Sequence, residues 1–166
     1  MSSKIQIDES AWVDKSAALR GSVTLGPEVG VWCNAVLRGI GMNITVGRRS
    51  NVQDCVVIHG DIGHDVVIGE RVSLGHGAVI HGCTIEDNCV IGMGSVVLDH
   101  AVIGAGSIVG AGAVVPAGMQ VPPGSLVVGL PGKIKKQLGL EALEDNIRNA
   151  EEYWKFALEQ KALEQE

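Results

Sequence analysis

Aliphatic residues recur along this chain with a period of six. They stand at Ile7, Val13, Leu19, Leu25, Val31 and Leu37, restart at Val46, Val52 and Ile58, restart again at Ile68, Leu74 and Ile80, and then run from Ile85 through Ile91, Val97, Ile103, Val109, Val115 and Val121 to Val127. Gly commonly follows the aliphatic residue, as at Gly26, Gly47, Gly69, Gly75, Gly92, Gly104 and Gly110, where a sharp corner is expected to favour a residue without Cβ. An amphipathic helix does not repeat every six residues, and hairpin sheets do not hold such a register over more than about a hundred residues. A parallel β-helix does, with one aliphatic side chain per hexad pointing inward and each coil burying the next.

The period breaks in three places. From Leu37 to Val46 is nine residues, an insertion of three near Ile40 to Met42, and from Ile58 to Ile68 is ten, an insertion of four around Asp61 to His64. Both are expected to form small loops at corners. From Ile80 to Ile85 is five, so the register steps just after His81. Gly129-Leu130-Pro131-Gly132 ends the repeat. Beyond it Leu140, Leu143, Ile147, Ala150, Trp154 and Ala157, with Leu158 adjoining, repeat at three and four, which predicts an amphipathic helix. The expected organisation is a β-helix over 1–133 and a helix within 134–166 packing on it.

Three hexads close one coil, so equivalent residues of successive coils lie roughly 4.8 Å apart. Corrected for the insertions, Leu37, Ile58 and Ile80 form one column, and Arg38, His59 and His81 stack beside it. Val31, Val52 and Leu74 form the preceding column, with Cys33, Asp54 and His76 two positions on. His59 and His81 are thus close enough to share a metal, whereas His76 lies one corner away. Three prisms around a three-fold axis would bring His76 of one chain to His59 and His81 of another. The product is a three-histidine site with an open fourth position, as in catalytic zinc centres. His64 and His100 find no stacked partner and are expected at the surface, with His64 a candidate proton carrier.

Composition narrows the picture. Aromatics are 3% of residues while Gly is 23 of 166, in keeping with a thin, closely stacked interior. The net charge is −6, which argues against nucleic acid as a partner. No apolar h-region follows Met1-Ser2-Ser3-Lys4 and no run reaches membrane-spanning length, so a soluble cytoplasmic protein is the expectation. Cys33, Cys55, Cys83 and Cys89 have neither C-x-x-C spacing nor a disulfide framework, and are expected to be buried small hydrophobes.

The hexads resemble the hexapeptide-repeat family, which implies triangular, left-handed coils. The strings Leu37-Arg38-Gly39, Asn51-Val52-Gln53-Asp54, Val57-Ile58-His59 and Gly75-His76-Gly77-Ala78-Val79-Ile80-His81-Gly82-Cys83 are similar to its γ-class carbonic anhydrase-like subgroup over residues 5 to 133. The resemblance implies a homotrimer that holds zinc, or Fe²⁺ or Co²⁺, at each interface through His59 and His81 of one chain and His76 of the next. It further implies that Gln53 hydrogen-bonds a metal-bound hydroxide, that Arg38 pairs with Asp54 across the interface, and that Asn51 and Tyr153 belong to the site. The implied reaction is reversible hydration of CO₂ to bicarbonate. Two departures stand out: Ile40 replaces the usual Asp after Arg38-Gly39, and the loop Gly60-Asp61-Ile62-Gly63-His64-Asp65 carries no Glu as proton carrier. Two other functions stay open. One is acyl transfer or thioester hydrolysis on coenzyme A, prompted by fold relatives and by Lys133, Lys135 and Lys136; the other is a metal-binding trimer with little or no activity.

Overall fold

The computed structural model describes residues 4–164. The chain winds into a parallel left-handed β-helix of about seven turns, capped along one side by a single C-terminal helix. Each turn crosses three faces, and most strands are only two residues long. One face stacks residues 36–37, Val57–His59, Val79–His81, Val96–Val97 and Val114–Val115. The next stacks residues 44–46, Val66–Ile68, Thr84–Ile85, Val102–Ile103 and Gln120–Val121. The third runs from Trp12–Val13 through Gly30–Val31, Asn51–Val52, Ser73–Leu74, Val90–Ile91 and Ile108–Val109 to Ser125–Val128.

The hexad follows from this geometry. In Val96–Val97, Val102–Ile103 and Ile108–Val109 the second residue is buried and the first half-buried, while the remaining four residues turn the corner. Backbone amides reach the next coil, as Val96 N to the Ala113 carbonyl at 2.9 Å and Gly104 N to Val121 at 2.8 Å. Columns such as Leu37, Ile58 and Ile80 have no exposed surface. Each such side chain is worth roughly 1.5–3 kcal/mol of burial, which lets a chain with few aromatics build a core.

The corner glycines are there because a Cβ has no room. Gly47, Gly75 and Gly104 do not adopt positive φ; they sit where coils touch. A Cβ on Gly47 would lie 2.5 Å from the Gly69 carbonyl oxygen, and one on Gly75 would lie 2.8 Å from the Ile91 oxygen. Left-handed backbone occurs elsewhere in the corner, at Gly106 and Gly112, and with side chains present at Cys55, Asn88 and His100.

The first insertion is not a loop. Val36–Val46 is one continuous strand that rounds the corner beside Ala18–Leu25, with the register shift absorbed at Gly21 and Ser22. Gly21 at φ +80° and Gly39 make that close approach possible, since a Cβ on Gly21 would overlap the Gly39 carbonyl. The second insertion is a loop, residues 60–65.

An extra strand, Lys133–Gln137, follows the repeat and pairs antiparallel with Ser125–Val128. Its all-exposed, lysine-rich sequence hid it from a hydrophobicity reading, yet it covers the open edge of the last coil. The helix Leu140–Leu163 lies along the third face, with Leu143, Ile147, Ala150, Trp154 and Ala157 of the expected stripe buried or half-buried. Asn146, Ala150 and Ala157 are buried, whereas Leu140 and Leu158 are exposed. Small residues bring the helix close, and the Asn146 amide donates to the Asn88 and Gly106 carbonyls at 3.0 and 3.3 Å. Arg49 ties the same helix to the prism through Glu151 at 2.8 Å and Glu28 at 2.7 Å. The cysteines divide: Cys83 and Cys89 are buried as expected, but Cys33 is half-buried and Cys55 exposed. No helix among the described residues is long and apolar enough to cross a membrane.

Candidate metal centre

His59 and His81 end neighbouring strands and are register partners in the parallel sheet, directly following the inward-pointing Ile58 and Ile80. Stacking therefore sets their rings together at the corner, with Nδ1 of His59 3.2 Å from Nε2 of His81. The other nitrogen of His81, Nδ1, lies 2.9 Å from both carboxylate oxygens of Asp99. A carboxylate only accepts hydrogen bonds, so Nδ1 of His81 carries the proton and Nε2 presents its lone pair towards His59. Burial first, then the nearby Arg38 guanidinium and His81, lower the pKa of His59, favouring its neutral form. Two nitrogens bound at 2.0–2.1 Å to a tetrahedral ion stand roughly 3.3 Å apart. The donor set and its spacing thus fit a divalent metal.

His76 occupies a different edge and does not join them within the chain. Its Nδ1 lies 2.8 Å from Asp54 Oδ2, and its Nε2 lies 3.3 Å from the Tyr153 hydroxyl. Within the chain Asp54 partners His76, and the Arg38–Asp54 pair implied across the interface concerns a neighbouring chain. Arg38 projects to solvent, in line with Arg20 of the preceding coil.

Gln53 is buried beside His76, and its carboxamide is held at both ends. Its oxygen accepts from the His76 backbone N–H at 3.2 Å, and its Nε2 donates to Asn51 Oδ1 at 3.0 Å. The Asn51 amide donates to Ser73 Oγ at 2.9 Å, so Asn51 acts on the site through Gln53. One Gln53 N–H is left to face a cleft of about 370 Å³ lined by Gln53, Ser73, His76, Asn149 and Tyr153. Tyr153 packs edge-on against Trp32 at 5.8 Å while its hydroxyl reaches His76, so it both packs and lines the site. Burial, then Asp54, raises the Tyr153 pKa, keeping the hydroxyl protonated.

His100 is exposed and His64 half-buried, and the two rings meet edge-on with centroids 4.3 Å apart. Ile40, which stands where the resemblance has Asp, is 57% exposed. Asp99 escaped the sequence reading because the coil is one residue short here: Ile80 pairs with Val97, so the column rule carries His81 to Leu98, and Asp99 reaches the ring from the turn just past that position. Burial, the largest influence, opposes its charge, but the hydrogen bond from His81 and lesser contributions together outweigh it and lower its pKa. Asp61, His64 and Asp99 also bring ligand atoms within 4.8 Å of one another, though Asp61 is exposed.

Residues 82–117 match the family described as bacterial transferase hexapeptide (six repeats). The chain is 44% identical over 151 residues to a "Probable carbonic anhydrase" of Methanocaldococcus jannaschii, covering 91% of this chain and 95% of that one. It is 37% identical over 161 residues to a "Carbonic anhydrase" of Geobacillus kaustophilus, covering 97% and 88%. Among solved structures, a hexapeptide transferase family protein from Anaplasma phagocytophilum superposes with a TM-score of 0.89 at 35% identity, over 92% of this chain and 90% of that one.

Proposed function

Because the chain belongs to the γ-class carbonic anhydrase-like branch of the hexapeptide-repeat proteins, we propose that it is a metal-dependent carbonic anhydrase working at the interfaces of a homotrimer. The single observation that carries this reading is the His59–His81 pair, two ring nitrogens at metal-sharing distance with one ring oriented by a carboxylate. His59 and His81 of one chain and His76 of the next would hold the ion. A divalent zinc, cobalt or ferrous ion there supplies the Lewis acidity that makes CO₂ hydration feasible near neutral pH.

The division of residues supports a site built from two chains. His76 arrives with Asp54, Gln53 and Tyr153 already arranged around it, and His59 and His81 arrive with Asp99 and Arg38. Asp54 fixes His76 with Nδ1 protonated, so Nε2 is its ligand atom and Tyr153 gives way there when the halves meet. Gln53, clamped by Asn51 and the His76 backbone, keeps one N–H to orient an oxygen of the reacting species without competing for its charge. Arg38 is free to take a carboxylate of the neighbouring chain, and its planar fork suits that role. CO₂ hydration followed by stopped flow, with zinc-, cobalt- or iron-loaded protein, tests the proposal. Activity that disappears in His59→Ala and His81→Ala is expected; wild-type protein with no metal-dependent rate would refute it.

A second reading, a metal-holding trimer with slow hydration, draws on the loop at residues 60–65. Its two acids are Asp61 and Asp65, and Asp65 is already engaged by Asn43 at 2.7 Å. Imidazole as a diffusible proton carrier separates the readings: strong acceleration means a competent centre with a poor proton path, and no acceleration favours the slow trimer.

A further inference from the structure

We propose that Asp99 is a positioning residue of the metal centre: it accepts the His81 Nδ1 proton, fixes that ring's tautomer, and so keeps Nε2 available as a ligand. This deepens the reading of His59 and His81 as ligands and rests on it. A neutral imidazole has one N–H and one lone pair, and which nitrogen carries the proton is set by what the other faces. At His81 both Asp99 oxygens lie 2.9 Å from Nδ1, whereas Nε2 meets only another imidazole, at 3.2 Å. The carboxylate therefore decides the tautomer before any ion arrives.

The fold holds Asp99 in place. It sits in the turn just after the strand Val96–Val97, which pairs with the strand of His81 one coil away, and the corner is stitched by His100 N to the Gly82 carbonyl at 2.7 Å and Gly118 N to the Asp99 carbonyl at 2.8 Å. Gly82 leaves the room, since a Cβ there would collide with Asp99 Oδ1. The only rival near the carboxylate among the described histidines is His64, whose Nδ1 is 3.7 Å from Oδ1, beyond hydrogen-bond length. The side chain is 25% exposed, so water competes only partly for its oxygens. Removing such an outer partner commonly costs 10–100-fold in metal affinity.

The test uses the full-length protein. Nitrogen-15 NMR of the imidazoles in metal-free protein reads the tautomer, and competition with a chromophoric chelator reads zinc affinity. In the wild type His81 is expected in the Nδ1–H form. In Asp99→Ala the population moves towards Nε2–H and zinc affinity drops about 10–100-fold, while His64→Ala changes neither. Asp99→Asn, nearly the same shape, is expected to fall between, and it carries the test if the alanine variant misfolds. An unchanged tautomer and zinc affinity in a folded Asp99 variant would overturn the proposal. Zinc that fails to bind even the wild type, with the tautomer still shifting in Asp99→Ala, would instead sink the metal reading beneath it.

Discussion

The coils from Ile85 to Val127 and the coils from Leu37 to His81 are built from the same hexads yet differ in kind. In the later coils every aliphatic column advances by eighteen residues, and each strand repeats the one before it. In the earlier coils the intervals lengthen by three and by four and then shorten by one, and nearly every candidate site residue lies there. The regular part acts as a ruler; the departures from it put chemistry at a corner. His59 and His81 meet because the loop at residues 60–65 is added without disturbing the column beneath them, and Asp99 reaches His81 from the turn that follows a strand only seventeen residues on, one short of the ruler.

Equal truncations in the two regions probe that contrast most strongly. Ile103 and Ile80 are both without exposed surface, so Ile103→Ala and Ile80→Ala should each cost about 2–5 kcal/mol in equilibrium unfolding. Only Ile80→Ala, directly before His81, should also weaken zinc binding by the folded protein. Equal zinc affinity in the two variants would mean that the column does not position the ligand.

A smaller loss is expected from Gly21→Ala, at about 1–3 kcal/mol, because φ +80° and the Gly39 carbonyl both oppose a side chain there. Thermal denaturation reads it, and an unchanged midpoint would show that the continuous strand through the first insertion can shift freely. Glu151→Gln removes one arm of the Arg49 clamp between prism and helix, a partly exposed pair, and should cost only ~0.2–1 kcal/mol by the same measurement. The smallest perturbation is chemical. Burial first raises the Cys83 and Cys89 thiols to about 12, so both should resist alkylation at neutral pH while the exposed Cys55 reacts, as mass spectrometry of the modified peptides would reveal. Labelling of Cys83 at the rate of Cys55 would mean the coil beside His81 opens.

Much of this was legible in the sequence because hexads convert spacing into position. The columns Leu37–Ile58–Ile80 and Val31–Val52–Leu74 and the His59–His81 pairing follow from counting, and the register agrees. What escaped has physical reasons. Lys133–Gln137 forms a strand through backbone pairing with an edge, which leaves no hydrophobic trace. The helix packs through Ala150 and Ala157 of the expected face, but the buried Asn146 beside them is polar and left no mark in a pattern of apolar residues. The Asp54–His76 and His64–His100 contacts depend on side-chain direction at corners, which spacing alone does not fix.

The central claim is that one chain supplies His59 and His81 and another supplies His76 to a single metal, and mixing two defective proteins tests it directly. His76→Ala protein and a His59→Ala, His81→Ala double variant should each bind little zinc when alone. Co-refolded into mixed trimers, about a quarter of the interfaces would unite intact halves, and bound zinc should return in that proportion. Mixed trimers confirmed by mass spectrometry that still hold no zinc, or His76→Ala protein that keeps its full metal content unmixed, would contradict the account.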